Sequence, residues 1–152
     1  MNTLQLIDAL KKRKFVRRTF CGVIPIDLLG VKKINKNCSF IVNTDDSSKP
    51  GEHWFAIYMP KNLPVEFFDS YGIKPKQKEI LEFIRFNGKR YKYNDKRIQG
   101  NNSINCGLFA LFFIYFRAKG YTMEQFLKLF TNNYLNNDLI VKKLYNKIVY
   151  LK

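Results

Sequence analysis

Cys106 is the residue of this chain best suited to covalent chemistry. It stands where a polar, turn-forming stretch, Gln99-Gly-Asn-Asn-Ser-Ile-Asn105, meets ten uncharged residues from Gly107 to Phe116. That run predicts a helix buried in a globular core, and it is far short of the roughly 20 residues needed to span a bilayer. A thiol in the first turn of such a helix feels the positive end of the macrodipole, which favours thiolate over thiol. Cys106 is therefore a candidate nucleophile.

A thiol nucleophile needs a base, and the sequence holds one histidine, His53. Residues 53–59 read as a strand: aromatic and aliphatic, uncharged after the histidine and ended by Pro60. Val65 to Tyr71 reads as a second strand closed by Gly72, and the link Pro60-Lys-Asn-Leu-Pro64 suits an antiparallel hairpin. A turn centred near Asn62 sets His53 opposite Tyr71, with Asp69 two residues away on the same face. Diagonal neighbours on one face lie about 7–8 Å apart at Cα. Asp69 is then within reach of the imidazole and can fix its tautomer, the part played by the third member of a triad. One histidine and three scattered cysteines offer no metal-ligand spacing, so no metal site is expected.

Residues His53, Asp69, Gln99 and Cys106, in that order, resemble the active-site series of the adenovirus-type cysteine proteases, the adenain family. The phrase Gln-Gly-x-Asn-Ser-x-x-Cys-Gly-Leu-Phe, here Gln99 to Phe109, carries most of the likeness. Gly51-x-His53-Trp54 and the acid followed by x-aromatic-Gly (Asp69, Tyr71, Gly72) add to it. Upstream, Phe20–Val23, Asp27-Leu28 and Phe40–Thr44 look like the opening segments of such proteases, with those of virophages and Polinton/Maverick-type elements nearest in look. The resemblance spans roughly residues 20 to 118. It implies Cys106 as nucleophile, His53 as general base and Asp69 as its orienter. Gln99 and the backbone N–H of Cys106 would be oxyanion donors.

What the resemblance implies about function is a viral endopeptidase that cleaves capsid or other structural precursors during maturation. The expected setting is the virion and the virus factory, in nucleus or cytoplasm. Two departures matter. Adenovirus proteases carry Glu where this chain has Asp69, although the related ubiquitin-like-protein proteases use Asp. The adenovirus enzymes also take an activating peptide, disulfide-linked through a cysteine between the acid and the glutamine. Residues 70–98 contain none, which counts against a disulfide-linked activator here. The rival enzyme reading is a deubiquitinating or deSUMOylating isopeptidase of the same clan. Its Gln and Cys usually stand one residue closer than the spacing of seven found here. The rival from another class is an inactive, basic DNA-binding protein.

Taken singly, each residue has a plain structural reading. A cysteine heading an apolar helix is commonly a small buried hydrophobe, Asp69 could form a turn before Gly72, and Gln99 could be an exposed amide. Their order and the Gln-to-Cys phrase favour the catalytic reading.

The elements that must hold these residues predict one α+β domain over residues 1–152, an antiparallel-rich sheet packed by helices. Helices are expected over Thr3–Arg13 (Leu4, Ile7 and Leu10 inward), Lys76–Phe86 and Asn105–Ala118. Two more are expected, from a Thr122/Gln125 capping box to about Phe130, and over Asn137–Leu151 with Leu139, Ile140, Leu144, Ile148 and Leu151 inward. Strands are expected over Ser39–Thr44, over the two hairpin segments and over Tyr91–Ile98, the last carrying Gln99 at its end. Met1 to Leu10 has no apolar signal region, so secretion is not expected. The odd cysteine count fits a reducing compartment, with Cys21 and Cys38 as free structural or surface thiols.

The chain has 27 basic and 12 acidic residues, a net charge of +15. The clusters Lys11–Arg18, Lys74–Arg97 and Lys142, Lys143, Lys147 should attract polyanions. The chemistry itself calls for no cofactor. Because adenovirus proteases use DNA as a cofactor, the resemblance makes DNA a candidate activator, and non-specific DNA an expected partner of a monomeric, non-membrane protein. Lysine-rich composition from an AT-rich genome is the competing explanation.

Overall fold

The computed structural model describes residues 1–31, 33–49, 52–88 and 90–150. Gly51 and Leu151, both used in the sequence reading, lie outside the described residues. In chain order the described residues form α1 (Thr3–Lys11), α2 (Lys14–Arg17), β1 (Phe20–Pro25), a 3-10 turn (Ile26–Leu28), β2 (Cys38–Asn43), β3 (Trp54–Met59) and β4 (Val65–Phe68). Then come α3 (Lys78–Phe86), β5 (Tyr91–Tyr93), α4 (Cys106–Ala118), α5 (Met123–Leu127) and α6 (Tyr134–Tyr150).

The strands form one five-stranded sheet in sequential order. β2–β3 and β3–β4 pair antiparallel, whereas β1–β2 and β4–β5 pair parallel. The sheet is thus mixed, an antiparallel centre with a parallel pair at each edge. Both faces are covered, which explains why Trp54–Met59 is apolar throughout rather than alternating. Trp54 and Ala56, with Ile41 and Phe68, pack in the cluster that holds α4. Phe55, Ile57 and Met59, with Phe40, Val42 and Phe67, pack against Ile80, Phe83 and Ile84 of α3.

The α4 helix is the core element. Every residue from Cys106 to Ile114 is buried, as a helix apolar on all sides must be. Phe113 stacks on Phe68 of the sheet at 4.7 Å, and each fully buried Phe contributes about 1.5–3 kcal/mol of transfer free energy. That packing fixes the position of the helix start, and Cys106 is its first residue.

Several elements differ from their sequence expectation. The opening helix ends at Lys11, and it turns Leu6, Ala9 and Leu10 inward while Leu4 is 71% exposed. The Thr122/Gln125 capping box forms, but its helix stops at Leu127. The strand expected over Tyr91–Ile98 ends at Tyr93, because Asn94 turns inward and gives its side chain to Asp69. The last helix begins at Tyr134, buries Asn137 and Asp138, and leaves Leu139 exposed.

Cys21 and Cys38 form a disulfide, not the free thiols expected, with Cα atoms 5.9 Å apart. The parallel β1–β2 ladder shifts register between Phe20 and Gly22, so Cys21 is the extra residue of the irregularity and stands beside Cys38. Only strand pairing could have revealed this neighbourhood. Cys106 is free, so an odd count is no argument against a bridge.

Candidate active site

The hairpin has the register that its short link predicts. Ala56 pairs with Phe68, Ile57 with Phe67 and Tyr58 with Glu66, each pair centred on Asn62. Beyond the last paired residues the same register brings His53 against Tyr71, with ring centroids 5.3 Å apart. Asp69 follows β4 directly, and its Oδ2 lies 3.1 Å from His53 Nε2. The ring N–H is not aimed squarely at that oxygen, so the contact is a close charge pairing more than a linear hydrogen bond.

Asp69 is held from three sides. The backbone N–H of Tyr71 donates to its Oδ1 at 2.8 Å. Its own N–H donates to Asn94 Oδ1 at 2.9 Å, and Asn94 Nδ2 donates back to the Asp69 carbonyl at 2.5 Å. Asn94 is buried and follows the last β5 residue, so its amide continues the β4–β5 ladder by one side-chain rung. The Gly72 N–H also donates to the Asp69 carbonyl, at 2.8 Å. Gly72 has φ +71°, and a Cβ there would meet the Arg97 nitrogen at 2.8 Å. Only glycine fits that crossing.

Cys106 heads α4 across from the imidazole. Burial pushes its thiol pKa up, but the hydrogen bond with His53 and backbone N–H groups of Trp54 and Gly107 outweigh burial and hold it below the usual range. Burial likewise lowers the His53 pKa, yet Asp69 and Cys106 together raise it to about 9. With Nε2 turned to Asp69, the other ring nitrogen is left for the sulfur. Both shifts favour a thiolate–imidazolium pair, the reactive form of a cysteine nucleophile. The N–H of Cys106 occupies the first helical position, where no intrahelical acceptor exists, and it can meet an oxyanion beside the sulfur.

Gln99 differs from its three partners. It is fully buried, on the connection between β5 and α4 rather than at a strand end. Its Oε1 accepts from the Ser70 hydroxyl at 2.5 Å. Its Nε2 donates to the Ser103 carbonyl at 2.8 Å and reaches Ser103 Oγ at 3.2 Å. The structure therefore brings His53, Asp69 and Cys106 together and sets Gln99 behind the cleft wall, its amide spent on Ser103. The cleft has a volume of about 470 Å³, and His53, Trp54, Tyr71, Ser103, Ile104 and Cys106 are among its lining residues. A depression of about 690 Å³ between Lys33, Lys61 and Arg90 is larger but offers no nucleophile.

Sequence reasoning missed Asn94, Ser103 and Asp138. Ser103 lies inside the Gln-to-Cys phrase and could have been singled out there. Asn94 and Asp138 stand in no motif, and only their burial reveals them.

The sequence and the fold have known counterparts. No protein-family profile matches the chain. It is 30% identical to the bovine adenovirus 4 protease over 128 residues, covering 72% of this chain and 64% of that one. It is 26% identical to the porcine adenovirus A serotype 3 protease, covering 62% of this chain and 54% of that one. The chain is similar in sequence to the adenovirus proteases. The chain spans less than two thirds of the length of either relative. Its fold is that of the ASFV pS273R protease, with a TM-score of 0.63 at 15% identity over 98% of this chain and 66% of that one. The SUMO protease Ulp1 shares the fold at a TM-score of 0.53 and 10% identity, over 95% of this chain and 78% of that one. Among the described residues, no helix is long and apolar enough to cross a membrane.

Proposed function

We propose that this chain is a cysteine endopeptidase that cleaves capsid or other structural precursor proteins of a virus or virus-like element. The observation that carries the reading is the pairing of Cys106 with His53 at the start of α4, with Asp69 behind the imidazole. The thiolate attacks the scissile carbonyl, and the carbonyl electron pair becomes an oxyanion facing the Cys106 N–H. Imidazolium gives its proton to the leaving amine, producing an acyl thioester. Neutral His53 then takes a proton from water, which attacks the thioester, releasing the carboxylic acid and restoring the thiolate–imidazolium pair. Gln99 serves as the second oxyanion donor through its side-chain amide, which rests on Ser103, a residue that also lines the cleft.

DNA is the proposed non-specific partner and a candidate activator, with the chain acting as a monomer at sites of virion assembly. Lys12 Nζ donates to the Val149 carbonyl at 3.3 Å, so the Lys11–Arg18 cluster adjoins the end of α6. That adjacency supports one continuous basic face. The test of the main reading is incubation with candidate capsid precursors and mass spectrometry of new termini, with Cys106→Ala as control. Discrete new termini absent from the control are expected. Salt-sensitive DNA binding with no new termini would overturn the reading and leave a basic DNA-binding protein.

A further inference from the structure

A chain of directed hydrogen bonds starts on α6, outside every motif. Asp138 is buried, and its Oδ1 accepts from Ser103 Oγ at 2.7 Å and from Asn105 Nδ2 at 3.0 Å. With its proton committed to the carboxylate, the Ser103 oxygen can only accept, and it does so from the Asn105 backbone at 3.2 Å and Gln99 Nε2 at 3.2 Å. The Ser103 carbonyl and the Ser70 hydroxyl hold the Gln99 amide as well, and the Ser103 hydroxyl oxygen adds the acceptor that Asp138 orients. Next to Asp138, the fully buried Asn137 donates Nδ2 to the Ile98 carbonyl at 2.9 Å, one residue before Gln99.

We infer that Asp138 is a positioning residue for oxyanion stabilisation, setting the orientation of the Gln99 amide through the Ser103 hydroxyl. The inference rests on the protease reading above. Its chemistry follows from hydroxyl directionality. Without an acceptor at 138, the Ser103 hydroxyl is free to rotate and offer its proton toward Gln99, which destabilises the donor orientation that an oxyanion requires. Both bonds end on one oxygen, so an amide oxygen can replace the carboxylate oxygen. Acceptance, not charge, is the property needed.

The test uses the full chain and the best-cut peptide from the precursor digest. Asp138→Ala should lower kcat about tenfold or more with KM little changed, and Asp138→Asn should recover activity to within about threefold of wild type. In a Gln99→Ala background the Asp138→Ala change should cost less than about twofold, since residues acting through one another are non-additive. Ser103→Ala, a smaller change, should behave like Asp138→Ala, and iodoacetamide should alkylate Cys106 in each variant at close to the wild-type rate. An equal loss from Asp138→Ala in both backgrounds, or an Asp138→Asn as damaged as Asp138→Ala, overturns the inference. A second readout stands apart from hydrolysis: the Gln99 side-chain amide signals in NMR. Slow exchange in wild type and Asp138→Asn but fast exchange in Asp138→Ala supports the inference even if no peptide is cut, whereas identical exchange in all three overturns it.

Discussion

The two halves of the site are built by different means. The His53–Asp69 half hangs on a hairpin, where backbone pairing sets the register and side chains follow the two-residue period. The Gln99–Cys106 half is a connection without regular structure between β5 and α4. Beside the backbone bonds of Ile98 and Gln99 to the Ser70 carbonyl, side chains shape it: Arg97 Nε on the Gln99 carbonyl at 2.8 Å, Ser103 on Gln99 and Asp138 on Ser103. A ladder tolerates the loss of any one side chain because its bonds are in the backbone. A side-chain network does not. The halves should therefore respond differently to substitution, the hairpin half depending mainly on its reacting groups and, where the ladder ends, on Asn94 and Gly72.

The largest effects lie at the thiol and its base. Cys106→Ala should abolish turnover in a folded protein, and His53→Ala should cost about 10²–10⁴ in rate and slow alkylation of Cys106. Residual peptidase activity in Cys106→Ala would end the comparison by removing the site itself. Gln99→Ala should lower kcat about 10²–10³ with KM little changed. A fall under tenfold would mean that Cys106 N–H suffices and that the second half is scaffolding.

Activity should follow a bell in pH. The thiolate forms as pH rises through the lowered Cys106 value, and the imidazolium proton needed by the leaving amine is lost as pH rises through about 9. A basic limb near 6.5, the ordinary histidine value, would show that Asp69 and Cys106 do not hold the proton on His53. Asp69→Asn should move that limb downward and cost less than losing His53, because Tyr71 still packs against the ring at 5.3 Å. An Asp69→Asn variant with an unmoved limb reduces the site to a dyad.

The smallest effect on chemistry belongs to the surface. Reversing charges in Lys11–Arg18 should weaken duplex DNA binding and leave hydrolysis of a short peptide unchanged. Wild-type log affinity should fall linearly with log salt, by about 0.9 per phosphate neutralised. Affinity that ignores salt would make the +15 charge compositional.

What the sequence made legible divides along the same line. The hairpin could be read because its strand pattern, its Pro-bounded link and its register depend on near neighbours in the chain. The α4 start was legible because ten uncharged residues admit few other readings. The Gln99 connection was not, since its shape depends on Asp138 35 residues beyond Ser103. Apolar periodicity misled there: it put Leu139 inward, whereas the hydrogen-bonding demands of Ser103, Asn105 and Ile98 draw Asn137 and Asp138 in. The Cys21–Cys38 bridge escaped for the same reason, needing a parallel pairing that no local pattern announces.

Gly72 is the seam between the halves. Its missing side chain lets the turn after Asp69 lie directly on the backbone at Lys96 and Arg97, where an added carbon would meet atoms at 2.8 and 2.9 Å. The spacing between the hairpin and the Gln99 connection is thus gauged by an absence of atoms, as a shim is gauged by its thinness. One methyl at position 72 would widen the gap from outside the cleft, blunting the reaction while every reacting group remained in place.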